Sequence, residues 1–347
     1  MKNLRLALAA ALLFPFTSLA QAPADAMPSA PGGQTAAPAP PAPADPFPKP
    51  EAKYFTATTP SVEIVNAFLK ALWGYDPSRL FRVMGIQTTA APGVAKVTIF
   101  VADKSPGAKV GSLTFYITPD GKHAIAEGAG VVPFAADPFT DIRAKLLAHA
   151  DGATRGAPGK GLELVEFADL QCPHCKEAQS TMDQIVKDFP GAHVVFQLFP
   201  LVDIHPSAFK AAAYGVCVQK QSNDLFFNYA AGVFDTQDAL TPATEDTILQ
   251  AAVKRAGLDA NAIAACAATA ATKDIVNADI KLGEDVGVDQ TPLLAINGRL
   301  VPIGQVPYEQ LKQIIVFQAA MDGVPTGAAP DILAPKPTEP NPASPAQ

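Results

Sequence analysis

After its first twenty residues, the sequence has no apolar run approaching the roughly 20 residues that a membrane-spanning helix needs, so no spanning segment is expected downstream. Histidine is scarce, with five residues scattered along 347, and there is one Cys-x-x-Cys pair with no second pair and no spaced histidine pair. A zinc site needs about four ligands, so no metal is expected. No basic patch stands out among 26 basic and 33 acidic side chains, a net charge of −7, which argues against nucleic-acid binding. With only four cysteines, the chain can hold two disulfides at most.

What is present begins with Lys2 and Arg5, then an apolar run from Leu6 to Phe16 and the small-residue exit Ser18-Leu19-Ala20. This pattern predicts a secretory signal peptide over residues 1–20, cut after Ala20, and hence a periplasmic or secreted protein in oxidising surroundings. Residues 21–60 carry eleven prolines and residues 323–347 seven more, together 18 of the 34 in the chain. Stretches so poor in bulky apolar side chains do not offset the entropy of ordering, so they read as a flexible linker and a disordered tail.

About 260 residues lie between, more than one small core organises. Gly, Pro and charge in DGATRGAPGKG break the hydrophobic pattern near residues 151–161, giving an expected boundary at residue 150. In the first unit, residues 61–150, Val62, Val65, Phe68, Leu69 and Leu72 recur at helical spacing after Thr59-Pro60-Ser61, followed by strand-like AKVTIFVA (95–102) and SLTFYIT (112–118). It reads as a small α+β domain. It shows no nucleophile-base pair, phosphate loop or ligand cluster, which leaves scaffold or assembly as its role. Trp73, Tyr75 and the phenylalanines read as core.

In the second unit, residues 151–322, a buried-strand candidate from Leu162 to Phe167 runs into QCPHC, after which Ala178, Met182, Ile185, Val186 and Phe189 share one helical face. A further strand, 193–199, completes a β-α-β unit with parallel pairing. Downstream, PLLAI (292–296) and RLVPI (299–303) flank Asn297-Gly298, a dipeptide suited to a type I′ hairpin turn, and a last helix is expected over Tyr308–Met321.

Pro173 suits the first helical position, which places Cys172 at the mouth of the helix and Cys175 one turn in. Free backbone N–H groups and the positive end of the helix dipole then favour a thiolate at Cys172, and the imidazole of His174 can add a hydrogen bond or a positive charge. Thiols activated in this way have pKa values of about 3.5 to 7.5 against about 8.5 for a free one. Stabilising the reduced state makes the corresponding disulfide a strong oxidant. Cys172 is thus the attacked sulfur and Cys175 the resolving one.

VEFADLQCPHC with its following helix, and Gln290-Thr291-Pro292 before a strand and Asn297-Gly298, resemble the DsbA-like branch of the thioredoxin superfamily over residues 160–320. The resemblance implies an α/β thioredoxin-like fold with an inserted helical subdomain, preceded here by the small α+β domain. It implies a redox-active Cys172–Cys175 disulfide that needs no cofactor, and a cis peptide before Pro292, with Thr291 and Pro292 binding the substrate backbone. Glu166 matches a buried acid that assists proton transfer to the resolving cysteine; a strand-end glutamate paired with a nearby lysine is the alternative. The implied partners are exported proteins with reduced or mispaired cysteines and a membrane redox partner that recycles the disulfide.

Cys217 and Cys266 lie in helical stretches of the segment assigned to the insertion. Four cysteines allow three pairings, and spacing favours Cys172–Cys175 with Cys217–Cys266, two buried thiols being the alternative for the latter. His205, in LVDIHPSA, reads as a structural histidine near the site. An exported oxidase is the leading expectation. The alternatives are an isomerase or reductase dimerised through the first unit, which is loosely similar to the dimerisation domains of periplasmic disulfide isomerases, and a binding or chaperone module with an inert cysteine pair.

Overall fold

The computed structural model describes residues 45–105, 107–128 and 130–329. The expected signal peptide, the expected linker up to residue 44 and the expected tail from residue 330 lie outside the described residues. The chain divides between Ala136 and Asp137.

In the first unit, Ser61 caps helix α1 (Val62–Trp73) by accepting the Ile64 N–H at 3.4 Å. Val65, Phe68, Leu69 and Trp73 then fall on one buried face. That face covers an antiparallel meander of β1 (Arg79–Thr88), β2 (Ala95–Asp103), β3 (Gly111–Ile117), β4 (His123–Ala126) and β5 (Gly130–Pro133), ordered β1-β2-β3-β4-β5. Alternation along β2 sends Val97 and Ile99 inward, and Phe68 meets Phe115 and Phe134 at ring separations of 6.0 and 4.9 Å. The described end of the expected linker is not a free tether. Phe47 is buried, Asp45 pairs with Arg82 at 2.5 Å, and Thr56 N–H bonds the Ile86 carbonyl at 3.0 Å.

The second unit starts earlier than residue 151. Its helix α2 (Thr140–His149) contributes Leu146, and Ala150 follows, to a core shared with Val165, Phe167, Val195 and Leu293, so burial ties these residues to what comes after them. The sheet contains β6 (Ala153–Gly156), β7 (Leu162–Ala168), β8 (Ala192–Leu198), β9 (Leu293–Ile296) and β10 (Arg299–Pro302) in the order β10-β9-β7-β8-β6. β7 and β8 run parallel, joined by α3 (Pro173–Asp188), and every residue of both strands is buried. Strands covered on both faces lose the polar alternation of a half-exposed sheet, so even Glu163, Glu166, His193 and Gln197 of these strands are buried.

Between β8 and β9 the chain inserts α4 (Ala208–Gln219), α5 (Asn223–Asp235), α6 (Glu245–Arg255), α7 (Ala260–Ala267) and α8 (Ala270–Val286). Residues of α4 to α7 pack with Ala168, Phe196 and Leu198 in one core. Cys217 of α4 and Cys266 of α7 form a disulfide with Cα atoms 6.0 Å apart, 49 residues apart in sequence. In the β9–β10 hairpin, Asn297 and Gly298 have φ of 45° and 90°, as a type I′ turn requires. Helix α9 (Tyr308–Met321) follows, after which Thr326 accepts the Gly191 N–H at 3.0 Å, so the first described residues of the expected tail pack on this unit.

Candidate active site

β7 ends at Ala168, and a short turn delivers Cys172 as the N-cap of α3, with Pro173 at the first helical position. Both cysteines are free thiols and buried, Cys172 at 4% exposure and Cys175 at 0%. Any partner sulfur therefore meets Cys172.

Their proton affinities are driven apart. The Cys175 thiol donates to the Cys172 sulfur, and the Thr291 side chain and the backbone N–H groups of Cys175 and His174 add to it. Against the cost of burial, these lower the Cys172 pKa from 9.0 to about 5. Cys175 is pushed well above 9.0, first by burial and then by the neighbouring Cys172 sulfur. The His174 N–H belongs to the helix start, where N–H groups lack an intrahelical acceptor, and the Cys175 N–H is shared with the Cys172 carbonyl at 3.1 Å.

His174 is placed differently from expectation. Its ring is exposed and turns away to Glu177, with Nδ1 3.1 Å from Oε2, and that carboxylate raises the imidazole pKa. The contribution of His174 to Cys172 is its backbone N–H, joined by the longer-range attraction between imidazolium and thiolate.

Across from the cysteines, the Thr291-Pro292 bond is cis, and the Cys172 thiol lies 3.6 Å from the Thr291 carbonyl. Thr291 Oγ1 is buried with no partner within hydrogen-bond geometry among the described residues, and its hydroxyl favours the anionic form of both sulfurs. Glu166, 1% exposed on β7, receives Gln179 Nε2 on Oε1 at 2.7 Å, while Oε2 has no partner among the described residues. Burial raises its pKa to about 7, with Arg155 opposing. Its hydrogen-bond partner is Gln179, not a lysine, and Gln179 also donates to the Cys175 carbonyl at 3.0 Å, linking acid and resolving cysteine.

The sequence reading missed Gln179, Asp169 and Gln171, and it set His205 aside. The Asp169 carboxylate accepts from the N–H of Gln171 and of Leu201 and from His205 Nδ1, and Gln171 Oε1 accepts the Ser207 N–H at 2.8 Å. These bonds hold the loop after β8 beside the site, where Val202 and Ile204 are 51% and 67% exposed. A clue was available in the aspartate directly after a buried strand, a residue that bonds backbone N–H groups two positions on.

Residues 150–316 match the family model Thioredoxin_4, described as thioredoxin. A Na(+)/H(+) antiporter NhaA 3 from Salinispora tropica is 28% identical over 145 residues, 42% of this chain and 21% of the antiporter. The chain thus spans about a fifth of that relative's length. Among solved structures, Proteus mirabilis ScsC in a transitional conformation is 23% identical, with 52% of this chain and 79% of that one covered at a TM-score of 0.44. Oxidised BdbD from Bacillus subtilis is 20% identical, with coverages of 49% and 93% and a TM-score of 0.44. With the β7-α3-β8 unit, the cysteine pair at its crossover and five helices inserted before β9, residues 150–316 have a thioredoxin-like fold and match the thioredoxin family model.

Proposed function

We propose that the protein is an exported thiol-disulfide oxidoreductase that oxidises cysteines of other exported proteins through Cys172 and Cys175. The observation that carries this reading is the split in proton affinity, with Cys172 lowered to about 5 and Cys175 held well above 9.0. A client thiolate attacks Cys172 Sγ, a client–Cys172 bond forms, and the Cys172–Cys175 bond breaks with its electron pair going to Cys175, which takes up a proton. Glu166, a buried acid with its pKa raised to about 7, supplies that proton. A second client thiolate then attacks the client sulfur and Cys172 leaves as a thiolate. The client loses two electrons and the pair gains them.

A leaving group of low pKa leaves readily, which favours release of an oxidised client. The cis loop of Thr291 and Pro292 is positioned to hold the client backbone beside Cys172. Export is supported by the sequence pattern of residues 1–20 and by the Cys217–Cys266 disulfide, a bond of oxidising compartments. A membrane redox partner would return the pair to the disulfide.

The test is oxidative refolding of a reduced, unfolded disulfide protein. Wild-type protein should form its disulfides and Cys172→Ser should not; equal rates for both would end the reading. The second reading, an isomerase dimerised by the first unit, is favoured by one observation. Tyr116, Ile125 and Val131 sit in directly paired positions across β3, β4 and β5, all exposed, in a row that reaches edge strand β5. Sedimentation as a dimer with the pair reduced in cells would support it.

A further inference from the structure

Asp169 joins the two halves of the site in a way that neither cysteine nor Glu166 does. Its carboxylate is buried, and three N–H groups converge on it: Gln171 N on Oδ1 at 2.7 Å, Leu201 N on Oδ2 at 2.8 Å and His205 Nδ1 on Oδ2 at 2.7 Å. Meanwhile its own backbone N–H donates to Cys175 Sγ at 3.4 Å and lowers that thiol's pKa against the effect of burial. His205, its side chain 18% exposed, is the only one of the three donors that comes from a side chain.

We propose that Asp169, anchored by His205, is the positioning residue of the resolving thiol. The inference rests on the exchange reaction above and concerns the step in which the Cys172–Cys175 bond opens. As the bond breaks, its electron pair arrives on Cys175 Sγ in a site that otherwise disfavours charge. The Asp169 N–H is a donor already aimed at that sulfur, and a hydrogen bond to a charged group contributes more than one between neutral groups.

The carboxylate sets where that N–H points because both belong to one residue of a short turn. Gln171 N fixes the carboxylate from the α3 side, while Leu201 N and His205 Nδ1 fix it from the loop after β8. The backbone around it is held as well, with the Phe199 N–H on the Ala168 carbonyl at 2.8 Å and the Cys172 N–H on the Asp169 carbonyl at 3.1 Å. The convergent donors satisfy the buried charge, so what Asp169 presents to Cys175 is an amide dipole. Removing His205 takes away one anchor, leaves the carboxylate short of a donor and frees the turn.

Two rates measured on full-length protein test this. The first is the opening of the oxidised pair by glutathione, in which Cys175 is the leaving sulfur. The second is alkylation of Cys172 in the reduced protein near neutral pH, where a thiol with a pKa of about 5 is already ionised and modest changes in its donors leave the thiolate fraction unaltered. His205→Ala should slow the first about tenfold and change the second less than twofold, and His205→Asn, which keeps an N–H donor at the Nδ1 position, should restore the first. A tenfold change is about 1.4 kcal/mol.

Wild-type opening in His205→Ala, equal slowing of both rates, or failure of His205→Asn to restore opening would each overturn the proposal. Should His205→Ala not fold, Asp169→Asn decides the matter: selective slowing of opening upholds it and equal slowing or none overturns it. A wild-type pair that glutathione does not open at all would instead refute the exchange function.

Discussion

Reduction should make the stability of this protein depend on pH in a way that oxidation does not. In the folded reduced protein Cys172 has a pKa of about 5, held there first by the Cys175 thiol; unfolded, its value is near 9.0. Between these values the unfolded chain carries a proton on Cys172 that the folded one has lost, so stability rises with pH across this window. At one unit per about 1.36 kcal/mol, moving from pH 6 to pH 8 stabilises the reduced form by about 3 kcal/mol. In the oxidised form Cys172 does not titrate, and the entropic effect of the crosslink is independent of pH. Urea unfolding of both forms at several pH values isolates the difference, because Glu166 and Asp279, both raised to about 7, titrate in each. A reduced-minus-oxidised stability that stays flat between pH 6 and 8 would refute the thiolate argument. A rising difference also makes the disulfide the less favoured state at neutral pH, by about 60 mV at pH 7 for a two-electron couple.

Two other outcomes follow from the same physical chemistry. Glu166 is raised from 4.5 to about 7 by burial, so its contribution is intact at low pH and lost as pH rises between these values; Glu166→Gln should therefore gain about 3 kcal/mol relative to wild type between pH 4 and pH 8 in urea melts, and an unchanged difference would show that the acid is solvated. Replacing Cys217 and Cys266 by serine opens a crosslink across 49 residues and should cost about 4 kcal/mol on the chain-entropy model; loss of less than about 1 kcal/mol in chemical unfolding would mean that the helices hold each other without it.

The parts of the fold that could be read from sequence are those whose pattern has a single physical cause. Leu162–Ala168 and Ala192–Leu198 are uniformly buried strands, Pro173 marks a helix start, and Asn297-Gly298 marks a turn. The elements that went unread blur these signals. In β1 the register shifts between Val83 and Gly85, which breaks its alternation, and an added Cβ at Gly85 would come within 2.9 Å of Tyr54 Cβ. Helix α2 buries only Leu146, so it shows no apolar stripe, and the boundary between units was placed after it. β6 has four residues, too few for a period. Packing of residues 45–60 turns on Phe47 and the Asp45–Arg82 pair, against a background of proline and alanine.

At the site, the cysteine pair and the Thr291-Pro292 loop were legible because each is a motif. Asp169, Gln171, Gln179 and His205 were not, because their importance comes from which backbone N–H or side chain the fold brings to them. The exposure of His174 was equally unreadable. Its neighbour three residues on, Glu177, captures the ring in the first turns of α3.

The most direct measurement is a titration of Cys172 in reduced protein, followed by ultraviolet thiolate absorbance and, independently, by the pH dependence of its alkylation. The account predicts one thiol with a midpoint near pH 5 that Cys172→Ser abolishes. A midpoint between pH 8 and 9, like that of a free cysteine, would contradict it.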